Sequence, residues 1–189
     1  MDILLEKHFK SWIDNLSNIR DLSKNTVISY KNDIQKFFVF LESHLDSSPN
    51  ISNIKRLEIS DFRSFLSYQR NNGINSNSIA RNISSLKSFF NHLIKEGIIN
   101  SSAISSLKSP KLKKSLPRPI DSKLAIKVIK FAETMEKEKW VGLRNKSILM
   151  LLYGCGLRIS EALNLNYGDI DNEDHILIKG KGGKERIVP

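Results

Sequence analysis

The chain has little of what several chemistries require. Cys155 is the only cysteine among 189 residues, so no intrachain disulfide can form and no thiolate cluster can hold zinc. Long apolar runs are also missing. The longest, residues 148–153, is far too short to span a bilayer. The N-terminus carries acids at Asp2 and Glu6 and no extended apolar core, which excludes a signal peptide and makes a cytoplasmic, soluble, membrane-free protein the expectation. No G-x-x-x-x-G-K-[ST] loop occurs, so phosphate is not cradled in the manner of nucleotide triphosphatases. Internal repeats and low-complexity tracts are absent as well. Acids are scarce in one place above all: from Arg81 to Arg118 there are eight basic residues and only Glu96 against them.

That segment holds most of the net charge of +10, which calls for a polyanionic partner. Apolar spacing predicts a mainly α protein. Leu5, Phe9, Trp12, Ile13 and Leu16 define one helix, and Val27, Tyr30, Ile34, Phe37, Phe38 and Leu41 a second after a cap at Ser23 or Asn25. A third is expected over 60–71 and a fourth over 76–96, ended by Gly97. Residues 1–100 thus read as a four-helix domain, 101–119 as a basic Ser/Lys/Pro linker, and 120–189 as a second, α+β domain. In the second domain a helix from Asp121, a largely buried helix over 143–153 and a short helix from Arg158 precede two strands, 175–179 and 185–188, which form a small antiparallel sheet.

Three places could carry chemistry. The fourth helix is expected to turn Ser78, Arg81, Asn82, Ser85, Ser88 and His92 outward, with Lys87 beside them. Small hydroxyl residues permit close approach, and Arg and Asn donate to phosphates or base edges. A solvated face has the same composition, but no acid lies between Arg81 and Lys95, which favours DNA. Lys24, Thr26 and Lys31 make a weaker stripe on the second helix, and Lys111, Lys113 and Lys114 fit either a solubilising tether or one lying across DNA. Second, Gly154 and Gly156 break a helix and Arg158 opens the next. A helix start attracts anions, and an arginine there can fork onto phosphate oxygens with Glu161 holding it. For these two residues alone a structural Arg158–Glu161 pair is the better account, and it is the combination with Lys181 that favours a phosphate site. Cys155 reads as small apolar filler and Tyr153 as core. Third, Lys181 and Lys184 project from a glycine-rich hairpin, where a mobile lysine can protonate a leaving oxygen.

The stretches 154–165 (GCGLRISEALNL) and 180–189 (GKGGKERIVP) together resemble the tyrosine site-specific recombinases, and among them the bacterial Xer (XerC/XerD-like) class. The likeness runs through the whole chain. Residues 1–100, with Lys24-Asn25-Thr26 and Tyr30, look like the family's core-binding (SAM-like) domain, and 116–119 (LPRP) like the entry to its catalytic domain. The resemblance implies DNA cleavage through a 3′-phosphotyrosine, without metal, nucleotide or other cofactor. It matches Arg158 to the first catalytic arginine, Glu161 to its supporting acid and Lys181 to the hairpin general acid. It makes Thr26, Tyr30, Lys184 and Arg186 further DNA contacts. The family's later His-x-x-Arg pair and tyrosine nucleophile have no counterpart here: no histidine has an arginine three residues on, and all four tyrosines precede Lys181. The expectation is an N-terminal fragment with a truncated catalytic domain, monomeric, binding double-stranded DNA without cutting it, with a second Xer-type recombinase as a further partner and chromosome-dimer resolution as the family role. A stand-alone DNA-binding protein competing with an intact relative fits the same residues. An RNA-binding protein would leave Arg158 and Lys181 unexplained and should show an RNP-like aromatic strand, which is absent.

Overall fold

The structure, a computed structural model, describes residues 2–100, 102–112, 118–169, 175–180 and 183–188. It divides into two units, Met1–Lys114 and Ser115–Pro189.

The first unit is an aromatic-rich helical bundle: α1 Ile3–Asp14, α2 Lys24–His44, α3 Ile51–Arg56, α4 Ile59–Asn71 and α5 Ser76–Lys95. From α2 to α5 each start follows from a polar side chain that satisfies a free N–H. The Ser23 hydroxyl accepts from the Thr26 N–H, the Asn50 side chain from Asn53 and the Asn75 side chain from Ser78. At α4 the Glu58 N–H donates to the Asp61 carboxylate at 2.8 Å. The inner faces meet in a core where Trp12, Phe37, Phe62, Phe65, Phe89 and Phe90 are fully buried. The rings pack edge to face, Phe37 on Phe65 at 5.1 Å and Phe62 on Phe90 at 5.2 Å. Burying each such ring contributes about 2–3 kcal/mol, so the unit has ample drive to fold.

Two features differ from the sequence expectation. The described residues of the first hundred form five helices, because α3, a six-residue turn, buries Ile54 between α2 and α4 in sequence. The domain also continues past residue 100: Ile99, Ile104 and Leu107 are buried in the same core, with a 3₁₀ turn at Ala103–Ser106. Three apolar side chains outweigh the surrounding serines there, so the core runs on to Leu107. A π-helical turn, Asn15–Ile19, follows α1, with the Arg20 N–H donating to the Asn15 carbonyl, and Asp21 then takes φ +45°.

In the second unit α6 Ser122–Ala132 starts on the Asp121 carboxylate, which accepts from the Lys123 and Leu124 N–H groups. Then come α7 Lys139–Gly154 and α8 Ile159–Leu163. Strands β1 Ile176–Lys179 and β2 Glu185–Val188 pair antiparallel, Ile176 opposite Val188 and Lys179 opposite Glu185. A small core of Leu157, Ala162, Ile178 and Val188 packs on Ile148, Leu151 and Leu152 of α7. The expected burial of α7 does not hold among the described residues: only Gly142 is buried along it, and Met150 and Tyr153 are half exposed. The small core meets Ile148, Leu151 and Leu152 on one side of the C-terminal half of α7. Tyr153 is therefore not core.

Candidate phosphate-facing site and nucleic-acid interface

The glycine turn after α7 sets up the second unit's site. Gly156 takes φ +64°, and the Leu157 N–H donates back to the Leu151 carbonyl at 3.3 Å. The left-handed step, costly for any residue with a Cβ, reverses the chain and places Arg158 at the start of α8. One turn later Glu161 returns to that start: its Oε2 accepts the Arg158 N–H at 2.8 Å and its Oε1 accepts Arg158 Nη1 at 2.8 Å.

Glu161 does more than hold Arg158. From β2, Arg186 forks onto the same carboxylate, Nη1 to Oε1 at 3.0 Å and Nη2 to Oε2 at 2.8 Å. The Glu161 side chain is only 5 % exposed and accepts four N–H groups, so α8 and the hairpin are riveted together through one buried acid. The Arg186 guanidinium, followed by the Arg158 N–H, holds the Glu161 carboxyl far below the usual carboxylate range. Gly180 closes the hairpin, its N–H donating to the Lys184 carbonyl at 2.7 Å; a Cβ there would press on that carbonyl at 3.2 Å beside Arg186 and Glu161. Arg158 itself stays 69 % exposed and spends one guanidinium nitrogen on Glu161. Its remaining donors face outward at a helix start, an arrangement that can fork onto a phosphate.

Arg186 corrects the sequence expectation. Expected as a phosphate contact, it has both terminal nitrogens on Glu161. The partner lies 25 residues away, out of reach of any local motif. Lys184 is exposed. Lys181, the expected proton donor, lies outside the described residues, as do Lys113 and Lys114. No group of three or more His, Cys, Asp or Glu side chains among the described residues could hold a metal.

On α5 the expected outward face is rotated. Ser85 is fully buried and donates to the Asn82 carbonyl at 3.0 Å, and Asn82 and His92 are buried too. Serine and asparagine satisfied inside the helix read as surface polarity in a sequence, which is why they misled. The stripe that does face outward is Asn77, Arg81, Ser84, Asn91 and Lys95, with Ser88 and Lys87 half exposed. Arg81 is not free: its Nε and Nη2 donate to the Asp33 carboxylate at 2.9 and 3.0 Å, and Asp33 is buried. The Asn82 amide, turned with its nitrogen inward, adds a donor at 2.7 Å. Arg81 thus ties α5 to α2 and still shows its Nη1 side. Ser88 accepts from the Trp12 indole and from Arg20, a residue the sequence reading passed over. On α2, Thr26 bonds Ser23 within the cap, Tyr30 stacks on Trp12 at 6.4 Å, and Lys24 and Lys31 are exposed. Lys111 is exposed past the end of the core.

Residues 9–97 match the phage integrase N-terminal SAM-like domain, and residues 122–189 match the phage integrase family. The chain belongs to the phage integrase, or tyrosine recombinase, family. It is 40 % identical over 183 residues to the tyrosine recombinase XerC of Brucella suis, covering 95 % of this chain and 58 % of that protein. With the XerC of Rickettsia typhi it shares 39 % over 189 residues, 100 % of this chain and 62 % of the relative. The chain therefore spans about three fifths of the length of these recombinases. In fold it is similar to a lambda integrase tetramer bound to a Holliday junction, with TM-score 0.70 and 18 % identity over 98 % of this chain and 50 % of that one. It is also similar to the XerH site-specific recombinase bound to its difH substrate, with TM-score 0.63 and 22 % identity over 95 % and 53 %. Its fold is the expected one: mainly α, with an N-terminal SAM-like domain and an integrase catalytic-domain fold holding a two-stranded antiparallel sheet.

Proposed function

We infer that this chain binds double-stranded DNA and brings to site-specific recombination the first part of a phosphoryl-transfer site. The observation that carries the reading is the exposed Arg158 fork, fixed at a helix start by a buried Glu161 that also anchors the hairpin. A preorganised cation of this kind stabilises the charge that develops on a phosphate under attack. Lys181 is the candidate donor of a proton to the leaving 5′ oxygen. The likeness to XerC relatives makes a Xer-type role at a chromosomal recombination site, alongside a second recombinase, the favoured setting.

Covalent catalysis needs a nucleophile in line with the phosphate; Arg158 and Lys181 can stabilise charge and donate a proton but cannot form a phosphotyrosine, so these 189 residues tested by themselves should bind DNA without cutting it. A DNA-binding protein that occupies a site beside an intact recombinase is the second reading, favoured by the exposed Lys24, Lys31 and Lys111, which need no nucleophile to act. The test has two arms. In a mobility-shift titration with a Xer-type site, neutralising about six phosphates should lower affinity on the order of a thousandfold between about 50 and about 200 mM salt. A flat salt response overturns the DNA reading. On a nicked suicide substrate, denaturing gels should show no protein–DNA adduct, and an adduct lost in Tyr153→Phe would overturn the non-cleaving assignment.

A further inference from the structure

We propose that Arg186 is a positioning residue of the phosphate-facing site: by occupying Glu161 it keeps that acid from clasping Arg158 on two nitrogens, and so leaves Arg158 charged and open toward a phosphate. The proposal rests on the reading of Arg158 as a phosphate contact. It adds a residue that acts on Arg158 from β2 without itself touching the phosphate.

The bonding around Glu161 is evenly divided. Oε1 accepts Arg158 Nη1 at 2.8 Å and Arg186 Nη1 at 3.0 Å. Oε2 accepts the Arg158 backbone N–H at 2.8 Å and Arg186 Nη2 at 2.8 Å. Each oxygen therefore has one partner from each arginine, and only Arg186 makes the two-nitrogen fork. A carboxylate and a guanidinium pair most strongly in that forked geometry, and Arg158 is denied it. Arg158 spends one guanidinium nitrogen, and its side chain stays 69 % exposed. The hairpin sets Arg186 in place. It stands opposite Ile178 in the ladder, and cross-strand partners share a face, so its stem runs beside a residue of the small core.

Charge leads to the same assignment. A carboxylate with a single guanidinium is a neutral pair, which attracts a phosphate only weakly. Here two guanidiniums share one carboxylate, so the cluster keeps one net positive charge. Arg186 is the less exposed of the two, and Arg158 presents the surplus. Without Arg186, Glu161 would be a buried anion with a free lone pair on each oxygen, which is costly. Arg158 is the cation already bonded to it. The least costly repair is the full fork onto Arg158, which takes up its outward donors and cancels its charge.

The test is a double-mutant cycle on the full chain at constant salt, with a short DNA duplex carrying a Xer-type site as the probe. In the otherwise unchanged chain, Arg158→Gln should weaken binding on the order of tenfold, the loss of a charged donor. In the Arg186→Gln background the same change should cost no more than about threefold, because Arg158 is already occupied. Arg186→Lys, which keeps the charge but cannot fork, should restore part of the difference. Methyl signals of Leu157, Ala162, Ile178 and Val188 show whether the small core is intact in each variant. Equal losses from Arg158→Gln in both backgrounds overturn the positioning role and leave the phosphate reading of Arg158 standing. An Arg158→Gln chain that binds as well as the unchanged one overturns that reading, and the proposal with it. If Arg186→Gln loses the core signals, the cycle is read on Arg186→Lys. Core signals lost there too make Arg186 a structural residue and overturn the proposal.

Discussion

Asp33 and Glu161 are the two carboxylates on which each unit's arginines depend. Asp33 is buried under Arg81, so removing the arginine leaves a charged acceptor stranded beside one amide. Arg81→Gln should cost about 2 kcal/mol, seen as a lower urea midpoint at unchanged slope. Weakened DNA binding in that variant must be compared at equal folded fraction. The pH dependence of the second unit follows from Glu161. Its folded pKa is lowered, so its stabilisation is complete above the ordinary glutamate value near about 4.3 and is lost as pH falls below that value toward the folded one. Protection of the β2 amides, referred to the intrinsic exchange rate at each pH, should fall as pH drops below about 4.3, and Glu161→Gln should show the reduced protection already at neutral pH. A strand equally protected at pH 7 and pH 3 would remove Glu161 as the rivet. The sequence made the Arg158–Glu161 pair visible through its spacing of three. The Arg186 contribution was hidden, because a pairing across 25 residues depends on where the hairpin lands. Arg81 was legible as an exposed cation but its buried partner was not, since Asp33 sits in α2 as an ordinary helix-surface acid would.

At the level of elements, apolar spacing located α1, α2, α4 and α5 because each carries a long apolar row against one core. Helix α3 escaped because six residues give too little periodicity to read. The rotation of α5 escaped because Ser85, Asn82 and His92 are polar by type and buried in fact. The run 148–153 looked like core on hydrophobicity alone, though Met150 and Tyr153 are half exposed. Between α6 and α7 the decisive residue is Gly142, since a Cβ there would overlap the Glu133 backbone carbonyl. Alanine would raise helix propensity by about 1 kcal/mol, but a clash with backbone cannot be relieved by a rotamer change. Gly142→Ala should therefore destabilise the second unit by about 1–3 kcal/mol and leave the first unit's melting unchanged. A stabilised variant would mean that α6 and α7 slide apart freely.

Across the whole molecule the two units should differ in stability. The first encloses a ring-packed core, whereas the second relies on a few aliphatic side chains and a two-stranded ladder, which is marginal alone. Along α6, Leu124, Val128 and Phe131 recur at helical spacing and are each about half exposed. Hydrogen exchange should show amides of 118–188 opening more readily than those of 2–107, and equal protection would contradict this. One feature common to both units bears on how the chain meets a polyanion. Arg81 and Arg158 are each held from behind by an acid before any ligand arrives. An arginine side chain carries about 2 kcal/mol of rotamer entropy, and here part of that freedom is surrendered when the chain folds. Phosphate association at these two positions therefore begins from side chains already ordered, and calorimetry should find it less opposed by entropy than association at the exposed Lys24 and Lys31.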